Sequence, residues 1–372
     1  MTRLCVPVTS PTMRRAMLCA VLFALVLLGL SPSGWALAQE AAASGGGEPE
    51  KINWLEMGLA ILAGLTLFLY GVRELSNRLR EVASDKLRRY IQTGSSDRVR
   101  GLAAGAGATV LLDSSSATII LLITLVDAGL IGSAGALPII LGSNIGTTIS
   151  SQIFALNGDL YAPVLLAAGL LWMFVAKDRH KKAWGGAILS LGLILFALGV
   201  IGQAVEPLED RPGLREWLTR FEAPLIGVAA GAAITVALQS SSAMMAIIIV
   251  LAGQGLISLE AGLALMLGAE IGTCADTLVA TLGRSRAALR AGIFHLGFNL
   301  VSALAGVAMI GGLAALARWS ASSVDQQIAN AHVAFNVIGA LIFLPFVGLI
   351  SRALDRFLPD TAGAGAPAAQ PA

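Results

Sequence analysis

The chain has little charge. Asp, Glu, Lys and Arg together make up 13% of its 372 residues, about half of the roughly 25% that is usual in soluble domains. Hydrophobic residues reach 56%, and the 42 glycines follow no three-residue period, which excludes a disordered or collagen-like chain. A net charge of only +2, without a basic stripe, excludes nucleic acid as a partner. We therefore expect an all-α polytopic membrane protein surrounded by the lipid bilayer.

Cysteine is scarce as well, with three residues in the whole chain. Cys5 and Cys19 precede a predicted cleavage point, so that Cys274 remains alone and an intrachain disulfide is excluded. The sequence also lacks a P-loop lysine, a Cys/His metal spacing and a G-x-S-x-G elbow. We expect neither an enzyme nor a bound cofactor.

The N-terminal segment resembles a secretory signal. Arg14 and Arg15 precede the apolar run 16–30, which is short for a membrane span, and Ala36-Leu37-Ala38 forms an A-x-A cleavage pattern. We predict a signal peptide over 1–38 and a periplasmic segment over 39–53. An uncleaved anchor helix is the alternative.

The distribution of Lys and Arg predicts the topology. Residues 73–100 carry eight of them, 177–182 carry four and 284–290 carry three, which places these loops in the cytoplasm. Nine apolar segments lie around these loops: 54–72, 101–126, 137–156, 159–176, 185–204, 224–251, 258–281, 292–317 and 331–350.

These charge positions require an odd number of crossings between residues 100 and 158. One of the segments 101–126 and 137–156 must therefore be a re-entrant hairpin, and the same count applies within 224–281. Non-helical backbone at membrane depth is tolerated only where it is buried or lines a cavity, so two such hairpins indicate a transport site. We divide the chain into a first transmembrane repeat (54–182), a second (183–317), a periplasmic loop with the last span (318–350) and a cytoplasmic tail (351–372).

An internal repeat supports this division. Residues 101–151 align with 227–277 without a gap, with 23 identities in 51 positions. The similarity extends to the preceding helix, where GLTLFLYGV matches GLILFALGV. Because the charges orient the copies oppositely, we predict two inverted-topology repeats, each with a re-entrant helical hairpin, an arrangement typical of secondary transporters.

Each copy contains a polar residue followed by three serines. Successive serines compete with the backbone for hydrogen bonds and favour helix ends, and a broken helix would present free N–H groups to an anion. Their hydroxyls could also offer oxygen to a cation. The alternative is helix–helix hydrogen bonding, which matched positions in two inverted copies disfavour. These residues are Asp113, Ser114, Ser115 and Ser116 in the first copy and Gln239, Ser240, Ser241 and Ser242 in the second.

A second motif, GSNIGTT at 142–148 and GAEIGTC at 268–274, follows in each copy. Its glycines could unwind a helix so that carbonyls and threonine oxygens bind Na+, or they could serve close helix packing. For the matched pairs Gly101/Gly105 and Gly227/Gly231 we prefer packing alone. The candidate site residues of this motif are Asn144, Thr147, Thr148, Glu270 and Thr273.

Lys and Arg are missing from 101–176 and 221–283, so a bound anion would need co-bound cations. Asp113 and Glu270 are then intramembrane carboxylates that could bind Na+ or carry protons. Asp276 could assist them or lie at the cytoplasmic rim. Two His-x-x-Phe-Asn stretches begin at His295 and His332, and for them we prefer interhelical hydrogen bonding over a place in the site.

With paired Q-S-S-S and G-x-N-I-G-T motifs, residues 54–350 resemble the type II sodium–phosphate cotransporter family. The resemblance implies Na+-coupled symport of inorganic phosphate across a bacterial inner membrane, with the two hairpins and the motif residues named above forming the site. This sequence departs from the family at Asp113, where the family has Gln, and at Glu270, where it has Asn. A Na+- or H+-coupled carrier or exporter of another small anion is the alternative, and a non-transporting scaffold is disfavoured.

Many bacterial relatives append a helical domain like the phosphate regulator PhoU. This sequence ends instead in a short Ala/Pro/Gly tail. We expect that such regulation is absent or that a separate PhoU-like protein supplies it.

Overall fold

A computed structural model describes residues 53–156, 158–209 and 211–360, and helices dominate this part of the chain. The predicted signal peptide, nearly all of the segment 39–53 and the end of the tail lie outside the described residues. The first helices are α1 (Trp54–Gly94), α2 (Arg98–Leu112), α3 (Ser115–Asp127), α4 (Ser133–Phe154), α5 (Gly158–Val175) and α6 (Arg179–Val205). The later helices are α7 (Pro212–Leu218), α8 (Pro224–Leu238), α9 (Ser241–Gly253), α10 (Leu259–Gly272), α11 (Cys274–Val279), α12 (Arg286–Ala308), α13 (Ile310–Ser320), α14 (Val324–Phe343) and α15 (Val347–Phe357).

Several of these helices are suited to a bilayer. Within the described residues, five helical stretches are long and apolar enough to cross a membrane. A sixth is obtained if the pair Glu216–Glu222 and Pro224–Leu238, bent by 99°, counts as one span. The chain is therefore a multi-pass membrane protein.

Both serine triplets interrupt a helix in the same way. Asp113 (φ 48°, ψ 35°) and Gln239 (φ 53°, ψ 29°) adopt the left-handed conformation, and they are the only non-glycine residues with positive φ among those described. The next residue caps a new helix. Ser114 Oγ accepts from the Ala117 amide, and Ser240 Oγ accepts from the amide three residues later, both at 3.1 Å.

At the first of these breaks the chain reverses direction. The hydroxyls of Thr109 in α2 and Thr118 in α3 are 3.0 Å apart. Nine residues in a continuous helix would advance by about 13 Å. Helices α2 and α3 therefore fold back on each other, and 98–127 is the re-entrant hairpin of the first repeat.

Both ends of this first hairpin lie at one face of the bundle. Arg98, at the start of α2, donates to the carbonyl oxygen of Pro345 at 3.0 Å. Asp127, at the end of α3, accepts from the backbone amide of Ser285 at 2.7 Å. Because Ser285 precedes α12 and Pro345 follows α14, the hairpin enters and leaves where α12 begins and α14 ends.

The second hairpin, α8 and α9, enters from the opposite face. The Ser258 hydroxyl, just after α9, donates to the Glu222 carboxylate, just before α8, at 2.8 Å. Gly253 at the end of α9 lies beside Asp325 in the first turn of α14. Helix α12 has 23 residues and spans about 34 Å, so the two faces are separated by roughly the thickness of a bilayer core. The predicted inverted repeats, each with a re-entrant hairpin, are confirmed.

The first helices of the two repeats agree with this inversion. Gly64 of α1 packs against Ile201 of α6, and Gly71 packs against Ile194. The residue numbers rise in one helix as they fall in the other, so that α1 and α6 run antiparallel. Sequence-related helices thus pair in opposite directions.

Glycines bring the hairpins onto the helices that follow them. A Cβ on Gly105 or Gly142 would stand 1.9 Å from a carbonyl oxygen of the facing helix, and one on Gly231 or Gly268 would stand 2.1 Å from one. No side chain fits such a distance, so α2 packs on α4, and α8 on α10, backbone against backbone. The packing interpretation of Gly105 and Gly231 is confirmed.

The possible unwinding at the second motif is wrong for the first repeat. Helix α4 continues from Ser133 to Phe154 without a break, so its carbonyls within the motif belong to the helix. In the second repeat Thr273 separates α10 from α11 but keeps right-handed helical angles (φ −64°, ψ −14°). Close contact between regular helix surfaces explains this, because unwinding would disturb the glycine packing.

Two apolar segments are divided differently from the prediction. The segment 292–317 is not one helix, because α12 ends at Ala308 and α13 begins at Ile310. The segment 331–350 is interrupted where Pro345 lies in a short 3-10 turn, Leu344–Phe346. Proline lacks the amide that an α-helix needs, which explains the second division.

Candidate functional site

The hairpin tips present unbonded hydroxyl groups. Among the described residues, the side chains of Ser115, Ser241 and Ser242 make no hydrogen bond to the protein, although Ser115 and Ser242 are buried. The first backbone amides of α3 and α9 lack an acceptor within their own helices. Hydroxyls and amides of this kind are donors for an anion, and the hydroxyl oxygens are acceptors for a cation.

Carboxylates stand beside these tips, and the repeats place them differently. Asp113 accepts from the Ser150 hydroxyl at 2.6 Å. The position equivalent to Ser150 in the second repeat is Asp276, which lies beside the hydroxyl of Ser116 from the first repeat. Both carboxylates therefore lie at the tip of the first hairpin: Asp113 belongs to that hairpin, and Asp276 reaches it from α11 of the second repeat. The sequence left open whether Asp276 assists the site or lies at the cytoplasmic rim. In the structure its carboxylate lies against the first serine triplet.

The second motif contributes mainly to bonds within the scaffold. The buried Asn144 donates its amide to Asn299 of α12 at 2.8 Å. The hydroxyls of Thr147 and Thr148 donate to carbonyls of their own helix at 3.1 Å and 2.8 Å. Thr273 differs from them, because among the described residues its hydroxyl has no partner.

Glu270 occupies the position of Asn144 in the second repeat and is buried. Its Oε1 lies 2.7 Å from His332 Nε2 and accepts a hydrogen bond from the side-chain amide of Asn336 at 3.1 Å. The carboxylate is thus already engaged by α14, unlike the free hydroxyls at the hairpin tips. The structure does not bring Glu270 into hydrogen-bonding contact with either serine triplet.

The two His-x-x-Phe-Asn stretches connect the repeats. His295 of α12 contacts the Thr277 hydroxyl of the second repeat at 2.8 Å, while Asn299 binds the first. His332 of α14 contacts the Ser151 hydroxyl of the first repeat at 2.6 Å, while Asn336 binds the second. The preferred interpretation, interhelical hydrogen bonding, is confirmed.

Three of these contacts were not predicted from the sequence. They are the pairs Asp113–Ser150, Ser116–Asp276 and Glu270–His332. The offset of 126 residues aligns Ser150 with Asp276 and Ser151 with Thr277. This alignment shows that polar residues continue beyond the second motif. That pattern is the sequence signal from which these contacts could have been suspected.

The site is polar and acidic, and the stretches that carry the motifs lack cationic side chains. Residues 101–176 and 221–283 contain no Lys or Arg, and they include α3, α4, α8 to α11 and all of α2 beyond Arg100. A cavity of 230 Å³ between α4, α6 and α9 is lined by residues such as Phe154, Gly202 and Gln254, and none of the predicted site residues lines it. The arrangement can hold an anion only with cations beside it, and it supplies carboxylate and hydroxyl oxygens for them.

Two inverted helical repeats, each with a broken hairpin whose tip carries free serine hydroxyls, define a secondary transporter of the re-entrant hairpin class. The family model described as Na+/Pi-cotransporter matches residues 67–203 and 209–344. The chain belongs to the Na+/Pi-cotransporter family, and it is accordingly a transport protein of a phosphate-transporting family rather than an enzyme.

Curated relatives are distant but extensive. YqeW of Bacillus subtilis (strain 168) is 26% identical over 306 residues, which are 81% of this chain and 98% of that protein. YjbB of Escherichia coli (strain K12), provisionally named an inorganic phosphate export protein, is 27% identical over 303 residues, which are 81% of this chain and 56% of YjbB. This chain thus spans little more than half the length of YjbB.

A shorter stretch is similar to mammalian proteins. Human sodium-dependent phosphate transport protein 2C is 42% identical over 153 residues, which are 39% of this chain and 23% of that protein. No solved structure matches the chain.

Proposed function

We propose that the protein is a Na+-coupled symporter of inorganic phosphate in a bacterial inner membrane. The observation that carries this proposal is the matched pair of left-handed breaks at Asp113 and Gln239, each followed by a serine-capped helix. Two helix N-termini and their free hydroxyls would hold the phosphate oxygens. The names of the mammalian relatives, which refer to sodium-dependent phosphate transport, support sodium as the coupling ion.

The proposed substrate site comprises the two hairpin tips and the free hydroxyl that follows the second motif. Asp113 would supply charge for Na+, and the absence of Lys and Arg from 101–176 and 221–283 makes co-bound cations necessary. Asn144, Thr147 and Thr148 would shape the site from α4, because their side chains already bond within the scaffold. The residues proposed to contact phosphate or Na+ directly are Asp113, Ser114, Ser115, Ser116, Gln239, Ser240, Ser241, Ser242 and Thr273.

Flux measurements test this proposal. The full chain is reconstituted in liposomes, and radiolabelled phosphate uptake and release are followed with Na+ gradients in either direction. Both directions are needed because YjbB is named for export. We expect Na+-driven accumulation, and equal rates with Na+ and with choline would contradict sodium coupling.

Serine variants test the site. Ser115→Ala and Ser241→Ala each remove a hydroxyl that is unbonded to the protein, so we expect at least tenfold slower flux in a protein that still folds. Ser190→Ala is the matched control, because this buried hydroxyl bonds only to Gly186 of its own helix at 2.8 Å. Equal flux in all three variants would assign the triplets to packing.

A further inference from the structure

A buried chain of three polar side chains links the two repeats. His332 Nδ1 lies 2.6 Å from the Ser151 hydroxyl of α4, and His332 Nε2 lies 2.7 Å from Glu270 Oε1 of α10. Ser151 and His332 are 1% exposed and Glu270 is 5% exposed. These contacts join α4, α14 and α10 and involve neither serine triplet.

These three side chains keep the two hydrogen bonds between them with or without an additional proton. When His332 is neutral, Nε2 donates to the Glu270 carboxylate and Nδ1 accepts from Ser151. When His332 is an imidazolium, both nitrogens donate, and the Ser151 hydroxyl turns to accept. Ser151 makes no other side-chain bond among the described residues, so nothing holds its hydroxyl in one orientation.

The net charge of the pair changes when it takes up one proton. A carboxylate beside a neutral imidazole has a net charge of −1, whereas one added proton makes the pair neutral overall. A buried net charge within a membrane is costly unless it is paired. No Lys or Arg lies on α4 or α10 to balance it.

The surroundings of the pair contain few other titratable groups. Cys274 and His295 are the nearest: the Cys274 sulfur contacts the backbone carbonyl oxygen of Glu270 at 3.6 Å, and His295 Nε2 lies 3.9 Å from that sulfur. Helices α4, α8 and α9 carry no titratable side chain within their contacts to α10 or α14. The remaining charged groups on α10, α14 and the helices and turns packed against them lie towards the helix ends or in adjoining turns: Arg220, Glu222, Glu260, Asp276, Arg286, Arg290, Arg318 and Asp325.

The second histidine provides an internal comparison. His295 bonds the Thr277 hydroxyl at 2.8 Å, as His332 bonds Ser151, but its other nitrogen faces the Cys274 sulfur at 3.9 Å. It therefore has the same hydroxyl partner without a carboxylate. A proton added to His295 would leave a buried cation without a hydrogen-bonded anion, whereas one added to His332 neutralises Glu270.

The second hairpin packs beside the helices that carry the pair. Helix α9, its second arm, packs against both α10 and α14. Glu270 and His332 have almost no exposure in this arrangement. Release of a proton to water therefore requires a helix arrangement in which the pair is exposed, and the transport cycle would have to supply it.

We propose that Ser151, His332 and Glu270 form a proton-binding site that takes up and releases one proton in each transport cycle. This inference rests on the proposed transport function. On release, the shared proton leaves the His332–Glu270 hydrogen bond for a water molecule, and a neutral imidazole and a carboxylate remain. On uptake, a hydronium ion returns the proton to the pair. Ser151 is a positioning residue that holds the imidazole plane.

Histidine NMR tests the site without any need for transport. The chain has only three histidines, so His180→Gln and His295→Gln assign the spectrum of ¹⁵N-histidine-labelled protein in lipid bilayers. We expect the His332 signals to change across roughly pH 5 to 8 and this response to shift or disappear in Glu270→Gln. His295 should keep one form throughout. A constant His332 signal, or an identical response in Glu270→Gln, would overturn the proposal.

Transport measurements test the coupling. At fixed Na+, a difference of one pH unit across the liposome should change final phosphate accumulation about tenfold more in the wild type than in Glu270→Gln, since one coupled proton corresponds to a factor of ten per unit. The protonation of phosphate itself is the same in both proteins. His295→Gln should behave as the wild type, and phosphate exchange should persist in Glu270→Gln. Equal pH responses in Glu270→Gln and wild type would overturn the coupling. If no variant moves phosphate, the proposed function fails, while the NMR result still decides the proton site.

Discussion

Thr109 and Thr118 hydrogen-bond across the first hairpin at 3.0 Å, whereas the equivalent Thr235 in the second hairpin is buried without a partner. The cause is a single difference between the copies. Met244 stands where the first copy has Thr118, and a thioether offers no comparable bond. The two hairpins thus share a backbone break but differ in how their arms are joined.

This difference predicts opposite effects of one substitution. Thr109→Val removes a buried hydrogen bond, while the Thr118 hydroxyl keeps its bond to the Ser114 carbonyl oxygen at 3.1 Å. The free energy of unfolding should therefore fall by about 0.5–1.5 kcal/mol. Thr235→Val removes a hydroxyl that is already unpaired, so stability should stay the same or rise. Thermal unfolding of both variants in one detergent measures this, and an equal loss in both would refute the assigned contacts.

Close backbone packing gives a second stability prediction. Gly105→Ala would place a Cβ 1.9 Å from a carbonyl oxygen, so α2 and α4 would have to separate. We expect a loss of at least 2 kcal/mol, in the range of overpacked cores, or failure to fold. The control is Gly297→Ala in α12, where a Cβ would meet nothing within 4 Å. That variant should be stabilised by about 0.5–1 kcal/mol, as helical glycine replacements usually are. Similar unfolding temperatures for the two variants would contradict the packing.

The sequence predicted features that are local or repeated. Three serines in an apolar run indicated the breaks at Asp113 and Gln239, and the charge count required a hairpin in each repeat. Partners distant in the chain could not be predicted. Ser150 lies 37 residues from Asp113, and His332 lies 62 residues from Glu270. Such pairs depend on how the helices pack across one another. The spacing of residues within one helix carries no information about that packing.

The membrane orientation that the charges predict can be tested with cysteine labelling. Cys274 is the single cysteine among the described residues and is buried, so its background labelling should be low. We expect Gly213→Cys to react with an impermeant thiol reagent added from outside. Ser96→Cys and Lys181→Cys should react only after the membrane is opened. Labelling of Lys181→Cys in intact cells would place the basic loop outside and reverse the assigned topology.

The Asp113–Ser150 pair predicts how sodium dependence arises. The carboxylate has two oxygens, and Ser150 binds Oδ1 at 2.6 Å. An amide in its place offers one oxygen and no charge. Asp113→Asn should therefore raise the Na+ concentration needed for half-maximal phosphate uptake by at least tenfold, with a smaller change in phosphate affinity at saturating Na+.

Ser150→Ala separates the effect of the Asp113 charge from the effect of the Asp113 orientation. It keeps the carboxylate and removes only the hydroxyl that orients it, so the shift in Na+ dependence should be smaller than in Asp113→Asn. Initial uptake rates over a Na+ series for wild type and both variants supply the comparison. If Asp113→Asn matches the wild type, the first hairpin contributes no charge to cation binding. Asp276, the carboxylate beside Ser116 at the same tip, would then be left to neutralise the bound cation, and Asp276→Asn in the same assay would decide whether it does.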